Sequence, residues 1–367
     1  MRIAITGAGP GGLTLARVLH QHGIDAAAVY ERDTGRTTRT QGGTLDLHPD
    51  TGQRALRDAG LEAEFLAVAR RESQDLRLLD KHGTIRLDQH TPDDAPLIDP
   101  EVDRADLRDI LLDSLPATTV HWGHELTHAT PLGDGRHRLH FADGTTTETD
   151  LLIGADGANS RIRPLLTDAE PRPTGRQLLE TQIPDIDRTH PELAAVIGRG
   201  NYWALDAGRS LSAQRNSDGR ARVYVSVQAP TELPAGDPAT IRAGIAKLFH
   251  DWAPGFHDII DACEDTFLPR KITVLPVDVT WPGTPGVTLL GDAAHLMPPV
   301  GRGANLAMLD ALELGLTIAA GKPVRDYETA MFHRGGKAAR RSAQVNEIVA
   351  AGAEATLAFF QGHDGGR

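Results

Sequence analysis

The chain has 367 residues, with 38 Lys and Arg against 50 Asp and Glu, a formal net charge of −12. At 40% hydrophobic and 24% charged residues it is globular, with length enough for two domains or one large domain carrying an insertion. The acidity leaves no basic stripe to release phosphate counterions, and 4% aromatic residues supply no base-stacking platform, so nucleic acid is excluded as a partner. The single cysteine, Cys263, rules out an intramolecular disulfide and a cysteine-rich zinc site. No apolar run approaches the ~18 residues of a membrane span. Gly7, Gly9, Pro10, Gly11 and Gly12 interrupt any signal-peptide core, so a cytoplasmic location is expected, with no membrane partner.

Arg2–Thr6 reads as a short buried strand. Glycines follow at once, then apolar residues at helical spacing from Leu13 to Leu19, until Gly23 ends the helix. Ala26–Tyr30 reads as the next strand, which makes a strand–turn–helix–strand unit with parallel strands. Helices are expected over Pro49–Ala59 and from Asp103 or Arg104 to Leu115. Alternation from Arg136 through the Asp143–Gly144 turn predicts a hairpin, and Asp150–Ile153 a strand entering a Gly-Ala-Asp-Gly turn. Residues 169–270 change character, with scattered prolines, a strand at Ala221–Gln228 and a helix near Ile241–Trp252. Strand Val287–Leu290 and a helix over Ala304–Ala320 follow, and Lys322–Pro323 breaks it. One long helical segment is expected from Val324 toward Phe360.

Three motifs carry chemistry. The first is Gly7-x-Gly9-x-x-Gly12, with Pro10 and Gly11 inside it. Its glycines permit a tight turn, close backbone approach to a pyrophosphate, and close helix–strand packing. The following helix N-terminus offers free N–H groups to phosphate. Glu31 lies 22 residues after Gly9 at the end of the second strand, where a carboxylate can bind ribose hydroxyls. This pattern points to a dinucleotide without separating NAD from FAD, while Glu31 disfavours the 2′-phosphate of NADP in that pocket. The second motif runs from Leu151 through Asp156 to Ser160 and Arg161, a strand into a turn and then a helix start, in which Asp156 either caps backbone N–H groups or contacts a cofactor. The third is Gly291–Asp292 followed by Pro298-Pro299-Val300-Gly301-Arg302-Gly303-Ala304-Asn305, a strand–loop–helix in which the helix N-terminus favours negative charge.

Together, GAGPGG, GADGANSRIR and GDAAHLMPPVGRGAN resemble the single-component FAD-dependent aromatic hydroxylases with the para-hydroxybenzoate hydroxylase fold. Within that family, VYERD at 29–33, GGTLDLH at 42–48, DRADLRDILLDSL at 103–115 and DAAHLMPPV at 292–300 are similar to the tetracycline-inactivating flavin monooxygenases. The resemblance implies that Gly9, Gly11 and Gly12 approach the FAD pyrophosphate, that Glu31 holds the adenosine ribose with Arg32 nearby, and that Asp46 faces the flavin. Arg104 and Arg108 would contact FAD from a helix start. Asp292 would bind the ribityl or diphosphate region, and Pro299, Gly301, Gly303, Ala304 and Asn305 would line the isoalloxazine. Arg39 would contact NADPH. Glu180, Gln182, Arg209, Arg222 and Tyr224, with Pro298, fall in the region that holds substrate in such enzymes. Arg302 stands where the family often carries Gln.

The fold expected is α/β: a Rossmann-type FAD-binding domain from 1–70, 105–168 and 271–320, an inserted β-rich substrate domain from 71–104 and 169–270, and a long C-terminal helix bridging them in 321–367. The resemblance implies a monooxygenase in which NADPH or NADH, bound transiently, reduces FAD. Oxygen then gives a C4a-hydroperoxide that hydroxylates a phenolic or enolic polycyclic substrate, such as a tetracycline or aromatic polyketide. A Baeyer–Villiger flavin monooxygenase and an NAD-dependent reductase are the alternatives. Halogenation lacks its WxWxIP motif. A monomer or weak dimer is expected. No catalytic side chain is assigned; His295, beside the flavin by resemblance, is a structural residue or tunes substrate ionisation. His121, His124 and His128 have suggestive spacing but sit on no metal-binding helix pattern, and no metal is expected.

Overall fold

The apolar runs at 3–6, 151–154 and 287–289 are buried throughout, as central strands of a doubly covered parallel sheet must be, while 27–30 is half-buried around a buried Val29. In the computed structural model, which describes residues 1–38 and 42–364 (the last two by backbone alone), they form one five-stranded sheet. Its order is Val287–Leu289, Leu151–Gly154, Ile3–Thr6, Ala27–Tyr30 and Val120–His121, all parallel. Helix Pro10–Gln21 follows the first strand and packs on helix Gly303–Ala319. The two approach closely at glycines: a Cβ on Gly315 would lie 2.5 Å from Val18 Cγ1. The expected hairpin is present as His137–Phe141 and Thr146–Thr149, and Leu126–Pro131 completes a three-stranded antiparallel sheet.

The chain divides into two compact units. The first comprises 1–69, 104–172 and 273–343 and holds the parallel sheet. The second comprises 70–103, 173–272 and 344–367 and holds a seven-stranded sheet. Its order is Leu268–Val274, Arg172–Ile183, Ala221–Gln228, Arg209–Arg215, Asn201–Asp206, Leu76–Asp80 and Ile85–Gln89. One face of this sheet sends Leu179, Ile183, Leu211, Ala213, Val223, Val225 and Val227 into a core shared with helices Pro238–Leu248 and Pro254–Ala262. The alternate residues form the opposite face. Only the Ala221–Gln228 strand of this sheet was legible in sequence, because its other strands mix polar residues with prolines and carry weak alternation.

Two elements depart from expectation. The C-terminal helical segment is two helices, Val324–Ala350 and Ala353–Asp364, broken where Gly352 takes φ +105°. The segment after Asp156 is a turn and one short 3₁₀ turn, Arg163–Leu165, because Ser160 Oγ accepts the N–H groups of Ile162 and Arg163. Among the described residues no helix is long and apolar enough to cross a membrane.

Candidate functional site

The glycine-rich turn folds as its glycines require. Gly7 adopts φ +104°, and a Cβ there would lie 2.5 Å from the Ala155 carbonyl oxygen. A Cβ on Gly12 would lie 2.0 Å from the Gly7 carbonyl oxygen. Gly11 faces Leu290 and Ala307, so its small size serves helix packing. Gly9 alone of the four looks onto open space, with no atom of the described residues within 4 Å of its Cβ position. Gly9 is also the N-cap of helix Pro10–Gln21, and no side chain caps that end. Pro10 has no N–H, and the N–H groups of Gly11 and Gly12 precede the first intrahelical bond, from Leu13 N to the Gly9 carbonyl, an arrangement that favours an anion at this end.

Around this turn the carboxylates are arranged unequally. Glu31 is buried and accepts from Ala8 N at 2.7 Å and from Asp33 N at 3.0 Å. Arg32 beside it is exposed. Asp156 Oδ2 accepts from Arg161 N at 2.7 Å, while Oδ1 is buried with no partner among the described residues. Burial pushes the Asp156 carboxyl up, against hydrogen bonds from Ser160 and Arg161 and the charge of Arg163. Asp292 opens the one-turn helix Asp292–His295, and no hydrogen bond reaches its carboxylate from the described residues. Its Oδ1 lies 3.5 Å from the Cβ position of Gly303, at the uncapped N-terminus of helix Gly303–Ala319. Burial pushes Asp292 up, opposed by His295, Arg104 and Arg163.

Asn305 holds the adjoining loops together. Its Oδ1 accepts from His48 N, Thr51 Oγ1 and Gly52 N, and its Nδ2 donates to the carbonyls of Asp46 and Gly301. At 1% exposure this amide has no polar atom left for a cofactor; it shapes the loop instead of lining a ring with its side chain. Gly301, at φ +84°, lies against Asp46: a Cβ there would be 2.6 Å from Asp46 Oδ2. Pro299, Gly301 and Arg302 are exposed, Gly303 and Ala304 partly so, and Pro298 is buried. Arg108 is buried, donating to the Arg36 carbonyl at 3.0 Å, with its guanidinium 5.3 Å from the Trp122 ring. Arg104, at the start of the same helix, approaches Gly42. Arg39 lies outside the described residues.

Sequence reasoning gave Arg163 no role, yet it ties two of the motifs together. Its Nε donates to the Ala293 carbonyl at 2.7 Å and its Nη2 to the Ala158 carbonyl at 2.8 Å. A buried arginine just after a Gly-Ala-Asp-Gly turn was the available signal, since such a group must find several acceptors. The spaced histidines do not converge on a metal. His121 stacks on Tyr30 at 5.1 Å, and His128 stacks on His140 at 4.2 Å.

The second unit gathers four of the five strand residues expected to meet substrate. In register, Gln182 lies opposite Arg222, which lies opposite Gln214; Glu180 lies opposite Tyr224, which lies opposite Ser212. All six are on the face turned away from helices Pro238–Leu248 and Pro254–Ala262; toward the Ile85–Gln89 edge the same face carries Leu78, Trp203 and Leu205, which pack under helix Ala353–Asp364. Glu180 accepts from Arg222 Nη1 at 2.8 Å and from Arg270 Nε at 3.3 Å, a buried pair with one exposed partner. Arg209 is a correction. It lies opposite Val227, on the helix-packed face, and donates to the Leu248 carbonyl, Asp251 and Asp206. Its guanidinium rests near the rings of Phe249 and Trp252, so it anchors a helix connection.

The donor set of the first unit fits FAD: two uncapped helix N-termini, an open glycine at one of them, and carboxylates with spare acceptor capacity. The description "FAD binding domain" matches residues 1–322. The chain belongs to the FAD binding domain family. It is an FAD-dependent monooxygenase, with FAD as its cofactor. Among curated relatives, it is 28% identical to the monooxygenase penA of Penicillium thymicola, over 85% of this chain and 83% of that one. It is 29% identical to the FAD-dependent urate hydroxylase of Klebsiella pneumoniae, over 95% and 88%. Among solved structures, Klebsiella pneumoniae HpxO complexed with FAD and uric acid superposes with TM-score 0.79 at 26% identity, covering 98% of this chain and 92% of that one. The tetracycline destructase Tet(51) shares the fold, with TM-score 0.69 at 19% identity over 95% and 89%.

Proposed function

We propose that this flavoenzyme hydroxylates a phenolic or enolic ring compound of the tetracycline or aromatic-polyketide type, with NADPH or NADH and O₂ as co-substrates. The observation that carries the reading is the polar face of the seven-stranded sheet. A sheet face that turns Glu180, Gln182, Ser212, Gln214, Arg222 and Tyr224 the same way, partly buried, is built to orient oxygen substituents. Relatives named for urate and for 3-amino-4-hydroxybenzoate support an oxygenated, electron-rich ring as the acceptor.

In this reading the N–H groups of Gly9, Gly11 and Gly12 hold the pyrophosphate, and Glu31 accepts from the adenosine ribose. Asp292 accepts from the ribityl hydroxyls. The N-terminus of helix Gly303–Ala319 places its positive end beside the ring, with Pro299, Gly301 and Ala304 giving it room. Bound FAD supplies hydride acceptance and oxygen activation. Tyr224, between Glu180 and Ser212, orients the substrate hydroxyl, and the Glu180–Arg222 pair fixes the polar end of the ring system.

The test is mass spectrometry of a tetracycline, an aromatic polyketide phenol and urate, each incubated with the holoenzyme, NADPH and ¹⁸O₂. One labelled oxygen atom in the tetracycline or the polyketide supports the reading. Label in urate alone moves the substrate class to purines. Reduction of substrate without label from the gas would overturn the monooxygenase chemistry.

A further inference from the structure

Behind the Gly291–Asp292 turn lies a buried charged cluster that no role described above uses. Asp310, on helix Gly303–Ala319, is 0% exposed. Its Oδ2 accepts from Gly291 N at 3.1 Å and from His295 Nε2 at 2.5 Å, and its Oδ1 accepts from Arg334 Nη2 at 2.8 Å. Arg334, on helix Val324–Ala350, also donates to Glu313 at 2.7 Å. One carboxylate thus clamps three helices and the turn. Gly335 packs directly against the His295 ring, where a Cβ would lie 3.0 Å from Cδ2. An ordinary core would fill this space with apolar side chains at lower desolvation cost.

We propose that Asp310, His295 and Arg334 form a positioning unit that fixes the Gly291–Asp292 turn from behind and sets a cation beside the Asp292 carboxylate. This rests on the reading of Asp292 as a cofactor-holding residue. His295 follows Asp292 by three residues in the same helical turn; its Nε2 is turned to Asp310, and its charge acts on the Asp292 carboxylate through space, with no hydrogen bond between the two. Burial is the largest influence and pulls the imidazole down, but the charge and hydrogen bond of Asp310 and the charge of Asp292 together hold His295 above its ordinary value. Burial pushes Asp310 up, yet His295 and Arg334 hold it below the usual carboxylate range. The charged groups facing Asp292 are His295, Arg104 and Arg163. Those around His295 are Asp310, Asp292, Arg334 with Glu313, and Asp278, which lines the same small cavity and pairs with Arg340. Tyr327, whose hydroxyl donates to the Leu289 carbonyl, lies within the field of Asp310. Without the His295 charge, burial acts on Asp292 less opposed. Its protonation on acidification then comes at higher pH, removing an acceptor from the cofactor.

FAD release from the holoenzyme on dilution, read as flavin fluorescence from about pH 5.5 to about pH 8.5, tests this. His295→Gln is expected to move the acid limb of retention up by about one pH unit, and Asp310→Asn to weaken retention about tenfold at all pH values. Asp292→Ala is the reference, expected to weaken retention and abolish the limb. If His295→Gln weakens retention evenly with the limb unmoved, the positioning role is overturned while Asp292 keeps its place. If Asp292→Ala leaves retention unchanged, the reading of Asp292 falls, and the proposal with it. Should the variants not fold, histidine NMR of the wild-type holoenzyme decides. A His295 ring that stays protonated across the range supports the proposal, and one that titrates at its ordinary value overturns it.

Discussion

Glu31, buried, and Asp292, partly buried, are the two carboxylates proposed to hold ribose-type hydroxyls, but they differ in what else they hold. Glu31 already receives Ala8 N and Asp33 N, so it also closes the turn. Glu31→Ala leaves two backbone donors unmet and is expected to lower stability by roughly 1–3 kcal/mol, together with FAD affinity. Asp292 receives no hydrogen bond from the described residues. Asp292→Ala is therefore expected to lose FAD retention with no fall in the melting temperature of the apoprotein, a difference that differential scanning calorimetry resolves. Cys263 gives the opposite kind of expectation. Its thiol donates to the Ile259 carbonyl, and burial pushes it up to about 12. Iodoacetamide at pH ~8 is expected to leave it unmodified in the native protein and to label it after denaturation. Labelling at the native stage would show that helix Pro254–Ala262 opens readily.

At the scale of elements, the glycine-rich turn separates roles that the motif alone merges. Gly9→Ala has φ −81° and open space, so the fold tolerates it while the methyl group intrudes where phosphate is expected. It should retain native circular dichroism and bind FAD more weakly. Gly12→Ala drives a Cβ to within 2.0 Å of a backbone oxygen and should lower the melting temperature with or without FAD. Equal effects of the two would mean that the turn is only a packing device. Asn305→Ala frees several buried backbone groups at once and should cost roughly 2–4 kcal/mol. The sequence made this turn legible because each glycine answers a local steric demand. It did not make Asn305 legible as a clamp, since its partners at 46–52 lie some 250 residues away.

At the scale of the molecule, the chain passes between its two units five times, at 69/70, 103/104, 172/173, 272/273 and 343/344. Neither unit is a continuous segment that can fold before the other is made, so one cooperative unfolding transition is expected. FAD present at about 100 times its dissociation constant should stabilise the whole by about 2.7 kcal/mol. Far-UV circular dichroism and flavin release should then share one midpoint. Two separated transitions would mean that the second unit is stable without the cofactor-holding one.

The parallel-sheet strands, the glycine turn, Glu31 and the Gly291–Asp292 loop could be read directly from the sequence. Strand burial, tight turns and helix starts are local constraints that leave local patterns. The seven-stranded sheet was largely hidden, because its order joins strands far apart in the chain and its polar face dilutes the alternation. Which residues share that face was decided only by register: the one-residue parity that turns Tyr224 and Arg222's row one way sends Arg209 into the helix-packed core. The cluster of His295, Asp310 and Arg334 was decided the same way. A carboxylate inside an apolar helix, as Asp310 is, announces that a partner exists; only the packing of three helices says which one.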